Sequence, residues 1–257
     1  MTTTRRLDGT VALVTGASSG IGAATARSLA LEGATVVAAA RRRDRLDDLV
    51  SAIGADGGSA HAVEVDLTDR QAATGLVDVA VAEHGRLDIV VNNAGVMLNG
   101  PIEDAPVDEW ERMVDLNVKG LLYVAHATLP HLLRAAADAE PRGVADLVNI
   151  SSVAGRVARV GSGVYNLTKH GLGAFSESLR QEVTERHVRV ALVEPGAVAT
   201  ELATHMRPEV LAQMAKRFEG KEILQADDIA DAITYVVTRP RHMAINEVLI
   251  RPTEQQA

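Results

Sequence analysis

Val11-Ala12-Leu13-Val14-Thr15-Gly16-Ala17-Ser18-Ser19-Gly20-Ile21-Gly22 is an aliphatic run, then a glycine-rich turn, then the start of an Ala-rich stretch with helical character. Glycines at such a turn let the backbone bend tightly, approach a pyrophosphate closely and pack a helix against a strand. The helix N-terminus then offers free N–H groups to the anion. A ligand-free strand-to-helix turn uses the same residue types, and the spacing is G-x3-G-x-G rather than the G-x-G-x-x-G of the dinucleotide fingerprint. The stretch also fits G-x-S-x-G from Gly16 to Gly20, the nucleophile elbow of α/β-hydrolases. That elbow needs earlier strands and an oxyanion loop, and here nothing precedes the turn but the first strand. Gly16, Ser18, Ser19, Gly20, Ile21 and Gly22 are therefore read as a cofactor-phosphate turn.

Outward from this turn, aliphatic runs alternate with amphipathic stretches along the chain. Strands are expected at 11–15, 35–40, 61–65, 87–91, 146–150, 188–193 and 247–251, and helices at 20–32, 44–53, 69–83, 108–133, 163–186 and 227–238. That alternation implies an α/β fold: one domain over 1–257, a doubly wound (Rossmann) seven-stranded parallel sheet with helices on both faces. Its ligand crevice belongs beyond the carboxyl ends of the strands. Two segments interrupt the pattern. Residues 135–143 read as a surface turn, and 196–223 is too long for an ordinary connection and is expected to be an irregular, mobile substrate lid.

Composition agrees with a single aliphatic core. The chain has 257 residues, 47% hydrophobic but only 2% aromatic, which suits a parallel sheet built from Ala, Val, Leu and Ile. With no cysteine there is neither a disulfide framework nor a thiolate metal site, as a reducing compartment permits. The eight histidines are scattered without an HExxH pair, so no metal is expected. A formal net charge of −8 opposes binding to nucleic acid. No apolar run reaches the ~20 residues that span a bilayer. Residues 1–7 carry Arg5 and Arg6 without the apolar stretch of a leader, and a cytoplasmic location without membrane attachment is expected.

The second strand ends in Ala38-Ala39-Ala40-Arg41-Arg42-Arg43. A site for NAD places an acid about 20 residues past the glycines to hold the ribose 2′-hydroxyl, and an arginine accommodates a 2′-phosphate instead. Ala40 occupies the acid's position and Arg41 and Arg42 follow, which favours NADP(H). A solvated basic run would look the same, but cations at a helix N-terminus are disfavoured by about 0.3–1 kcal/mol each, and a bound anion explains their placement. Asp66-Leu67 and Asn92-Asn93-Ala94-Gly95 follow the third and fourth strands, in turn chemistry that also lies where cofactor contacts are expected.

At the chemical end, Ser151-Ser152 closes the fifth strand and Tyr165-Asn166-Leu167-Thr168-Lys169 opens a long helix. Four residues apart, Tyr165 and Lys169 share a helical face. A nearby ammonium favours the phenolate of a tyrosine whose free pKa is about 10, and desolvation pushes the other way.

These ordered motifs, with Pro195-Gly196, make the chain from about residue 7 to 251 similar to the short-chain dehydrogenase/reductase family. The resemblance selects Ser152, thirteen residues before the tyrosine, over Ser151, and matches Asn117 to a helix asparagine that anchors a water. It implies that Ser152 stabilises charge on a carbonyl oxygen and Tyr165 exchanges the proton. Lys169 lowers the tyrosine's pKa and holds the nicotinamide ribose, while Pro195, Gly196, Val198 and Thr200 contact the nicotinamide. The implied activity is hydride transfer between NADP(H) and a small aldehyde or ketone/alcohol pair by a homotetramer or homodimer.

Within the family, 39–42, 99–105, 175–183 and 250–253 resemble reductases of the clavulanate-9-aldehyde type and 3-hydroxy acid dehydrogenases. A 3-hydroxy acid dehydrogenase, or a cofactor-binding sensor without turnover, is the alternative. Retention of Asn117, Ser152, Tyr165 and Lys169 argues against the sensor. The expected pocket walls are Met97, Leu98 and Asn99, residues 153–160, and the 196–223 segment with His205 and Met206. Arg156 or Arg159 is a candidate for a substrate carboxylate.

Overall fold

The computed structural model describes residues 5–256, so residues 1–4 of the stretch read as lacking a leader, and residue 257, lie outside it. Seven strands form one parallel sheet: β1 (Val11–Thr15), β2 (Thr35–Ala40), β3 (Ser59–Glu64), β4 (Ile89–Asn92), β5 (Ala145–Ile150), β6 (Val188–Pro195) and β7 (Glu247–Ile250). Their order is β3-β2-β1-β4-β5-β6-β7. The direction of winding reverses between β1 and β4, which opens a crevice at their carboxyl ends.

Why the aliphatic runs become central strands is visible in β1. Ala12 and Val14 belong to one apolar layer and Val11 and Leu13 to the other, as the two-residue pleat requires of a strand covered on both faces. On the first face lie α1 (Gly20–Leu31), α2 (Arg43–Ala55) and α8 (Ala226–Val237), contributing Leu29, Leu46, Ile229 and Ile233. On the second lie α3 (Arg70–His84), α5 (Leu121–Ala137) and α6 (Gly163–Val183), contributing Leu76, Leu132 and Leu179. Ion pairs on two buried aspartates close the amino ends of the strands: Asp88 with the half-buried Arg86 at 2.8 Å and Asp146 with the buried Arg189 at 2.7 Å. The carboxyl ends are left for the site.

Local signals set most boundaries. Asp69 caps α3 through the Ala72 N–H at 3.0 Å, so the helix starts one residue later than its periodicity suggests, and it ends at Gly85 with φ +74°. Two expectations are corrected. The helix expected over 108–133 is α4 (Val107–Val114), a widened π-helical stretch Asp115–Gly120, and then α5. The 196–223 segment is not irregular, because it contains a short 3₁₀ turn, Glu201–His205, and α7 (Pro208–Arg217). Its two ends are pinned together by a parallel bridge between Val198 and Leu224. Residues 135–143 begin inside α5 and turn only after Ala137. Among the described residues no helix is long and apolar enough to cross a membrane.

Candidate active site

A cleft of about 630 Å³ runs along the carboxyl ends of the strands. One end is the glycine turn. Gly16 has φ +65°, and a Cβ there would lie 2.9 Å from the Ala94 Cα and the Asn93 Nδ2, so the residue must be glycine on two counts. A Cβ on Gly22 would run into the Gly16 carbonyl oxygen. Gly22 therefore shapes the turn from behind, and of the expected cofactor contacts it alone does not line the cleft. The Asn93 amide donates to the Thr15 and Gly16 carbonyls at 3.0 and 3.2 Å, while the Thr15 hydroxyl accepts from the Asn93 and Ala94 N–H groups at 3.0 and 3.1 Å. The Asn-Asn-Ala-Gly tetrad thus braces the turn, and Asn93, Ala94 and Gly95 line the cleft beside it. No side chain caps the start of α1, whose first residues Gly20 and Ile21 face the same space. Backbone closeness, an uncapped helix start and flanking serines are what a pyrophosphate requires.

Arg42 stands at the N-terminus of α2 and reaches across this end. Its guanidinium donates to the Ser18 hydroxyl at 3.1 and 3.0 Å, to Ser19 at 2.8 Å, and pairs with Glu201 at 2.8 Å. The hydrogen bond from Arg42 holds the Glu201 carboxyl below the usual carboxylate range. Glu201 escapes a sequence reading because its partner lies 159 residues away; its only local signal is an acid next to Thr200. Arg41, Asp66 and Leu67 line the cleft nearby, and the Thr68 N–H, 2.9 Å from Asp66, is the main reason that carboxyl sits low.

The other end holds the motif residues that the fold brings together. Ser152 starts a short turn after β5, accepting from the Ala154 N–H at 3.1 Å and donating to the Pro195 carbonyl at 3.4 Å. Tyr165 is buried in the first turn of α6, and burial pushes its phenol up to about 12 against the lowering influence of the Ser152 hydroxyl. Lys169, one turn on, donates to the Ile150 carbonyl at 2.8 Å and lies 5.8 Å from the centre of the Tyr165 ring. Burial brings its ammonium down to about 8. Ser151 instead donates to the Lys169 carbonyl at 3.2 Å. Pro195, Gly196, Val198 and Thr200 form the adjoining wall.

Asn117 is the exception. Its amide accepts from the Val96 N–H at 2.8 Å and donates to the Val96 carbonyl at 2.9 Å, so its side chain staples the π-helical stretch to the segment after β4 and does not line the cleft. Asn166, which the sequence did not single out, does similar work: its amide holds the Ala154 and Val157 carbonyls at 2.7 and 3.1 Å and shapes the loop under the pocket.

Of the expected substrate walls, Met97, Asn99, Val153, Arg159, His205 and Met206 line the cleft. Leu98 does not, because it is buried with its N–H directed at the Met113 sulfur, 3.5 Å away. Arg156 is also removed from the candidates, since it pairs with the buried Glu194 at 2.7 Å and with Glu247. Arg159 does line the cleft, beside Val160, Gly161 and Ser162.

The family model for short chain dehydrogenases matches residues 10–211. The chain is 41% identical over 252 residues to glycine betaine reductase ATRR of Emericella nidulans, a match covering 97% of this chain and 19% of that much longer protein. A metagenomic short-chain oxidoreductase solved in complex with NADP superposes with a TM-score of 0.80 at 34% identity, covering 96% of this chain and 99% of the other. The closed form of a serine dehydrogenase complexed with NADP+ gives 0.87 at 32% identity, covering 96% of each chain.

Proposed function

The chain belongs to the short-chain dehydrogenase/reductase family, and from that premise we propose that it is an NADP(H)-dependent oxidoreductase acting on a small aldehyde or ketone/alcohol pair. The observation that carries this reading is one cleft with two furnished ends: an arginine between two serines beside a glycine turn, and Ser152, Tyr165 and Lys169 within reach of one another. Bound NADPH supplies the hydride. Arg42, Ser18 and Ser19 hold the 2′-phosphate, and Lys169 places its ammonium beside the ribose. Ser152 donates to the carbonyl oxygen as charge develops there, and Tyr165, kept neutral by burial, delivers the proton. The 196–223 segment, carrying Met206, closes over substrate. The protein works in the cytoplasm as a homotetramer or homodimer.

Arg159 on the pocket wall favours a second substrate class, a 3-hydroxy acid whose carboxylate it would receive. NADPH and NADP+ turnover against a panel of aldehydes, ketones and 3-hydroxy acids tests both classes and excludes a silent cofactor sensor. In the responding assay, Tyr165→Phe is expected to lower turnover by about 10²-fold or more while NADPH still binds. Near-normal turnover in that variant would remove Tyr165 from the chemistry.

A further inference from the structure

His61 and His84 belong to no metal motif in the sequence, yet the fold brings their rings together edge to face. His61 lies within β3, the edge strand of the sheet, and Glu83 and His84 are the last residues of α3. His61 Nδ1 is 2.8 Å from Glu83 Oε1, and the other carboxylate oxygen is 4.0 Å from His84 Nε2. The two imidazole centres are 4.7 Å apart with their planes at 61°. One ligand atom from each of the three residues lies within 4.8 Å of the others.

The Glu83–His61 contact explains two of these side chains but not the third. The His84 side chain is only 12% exposed and its Nε2 is buried with no hydrogen-bond partner. Leaving a buried polar nitrogen unsatisfied is costly, so a ring nitrogen 4.0 Å from a carboxylate oxygen and bonded to nothing calls for a ligand. With metal–nitrogen distances of about 2.0–2.1 Å and tetrahedral angles, two imidazoles on one zinc ion have centres roughly 5 Å apart, close to the spacing found here. His61 and Glu83 are 41% and 44% exposed, which gives an ion a path in.

We infer that His61, Glu83 and His84 form a three-ligand site for a divalent transition-metal ion of the zinc type, with water in the fourth position, that ties the edge strand to the end of α3. Two imidazoles and one carboxylate suit zinc, nickel or copper, whereas magnesium and calcium need a shell of oxygens. None of the three residues lines the catalytic cleft, so the ion acts on the architecture and not on the reaction.

The test is calorimetric titration of the full chain, free of any polyhistidine tag, with Zn²⁺ and separately with Mg²⁺. One Zn²⁺ per chain is expected, with no Mg²⁺ binding, and a melting temperature that rises with Zn²⁺. His61→Ala and Glu83→Gln, both at partly exposed positions that the fold tolerates, are expected to weaken Zn²⁺ binding tenfold or more and to abolish the thermal shift. His84→Ala should do the same where its circular dichroism matches the parent. NADPH binding by all folded variants should be unchanged in metal-free buffer. Failure of the parent to bind Zn²⁺ below millimolar concentration, or equal binding by His61→Ala and Glu83→Gln, would overturn the site.

Discussion

A dry site favours the neutral form of every group in it, so burial moves Tyr165 up to about 12 and Lys169 down to about 8 for the same reason. The Tyr-x3-Lys spacing alone suggests a lysine that draws the phenol toward ionisation. In the folded cleft desolvation outweighs that pull, because the ammonium sits 5.8 Å from the ring centre with a proton directed at Ile150. For the proposed carbonyl reduction this direction suits Tyr165, since a proton donor must hold its proton until it is delivered. As pH rises through about 8, Lys169 loses its charge while Tyr165 stays protonated, so kcat/KM for reduction is expected to be level below that pH and to fall above it. Lys169→Arg, charged at every working pH, should remove the falling limb even where it lowers the plateau. A profile in the parent that stays level far above that pH would dissociate Lys169 from turnover. At the other end, Arg42→Ala removes charge-assisted hydrogen bonds, each of about 1.5–3 kcal/mol, and should weaken NADPH roughly ten- to hundredfold while leaving NADH nearly unchanged. Glu201 engages the same guanidinium at 2.8 Å and thus competes with a phosphate for it. Because the pair is more than 40% exposed, the competition is modest: Glu201→Gln should tighten NADPH about two- to fivefold by fluorescence titration. Weaker NADPH binding in that variant would mean that the carboxylate orients Arg42 and does not oppose the phosphate.

Elements were legible where their signals are local. The aliphatic runs, the Asp69 cap and the Gly85 stop sit beside the structure they control, so the strands and α3 follow from sequence to within a few residues. The Pro208 start of α7, followed by strong helix formers, is also a local signal, but the length of the 196–223 stretch masks it. The π-helical stretch has no such signal. It depends on Asn117 reaching the Val96 backbone, 21 residues away, with both ends of its amide. The resemblance gives Asn117 a water, and its side chain also has an architectural role through both bonds to Val96. Asn117→Ala leaves a buried N–H and carbonyl of Val96 without partners, and should destabilise the protein by about 1–3 kcal/mol in a denaturant melt as well as reduce turnover. A fall in turnover with an unchanged melt would return Asn117 to the chemistry.

Across the whole molecule, doubly wound topology is what made the site readable: once the strand order is fixed, motifs at successive strand ends must converge on one cleft, and Gly16, Asn93, Ser152 and Pro195 do. Contacts between distant stretches without a shared motif, such as Arg42 with Glu201 or His61 with His84, carry no such guarantee and emerge only from the fold. The inner faces of α5 and α6 cover the second layer of the sheet, but Leu122 and Leu167 point outward, 36% and 66% exposed, next to small outward-facing residues such as Gly171 that let another helix approach. Scattered surface leucines are ordinary; two exposed ones on long helices that cover the same layer of the sheet suit a self-complementary contact across a two-fold axis. Light scattering at micromolar concentration is expected to give a closed oligomer, a tetramer or a dimer. Leu122→Glu with Leu167→Glu places four like charges across such an axis and should shift the protein to a smaller species, while NADPH binding persists because neither leucine lines the cleft. A monomeric parent, or an unchanged mass in the double variant, would place any contact elsewhere on the surface.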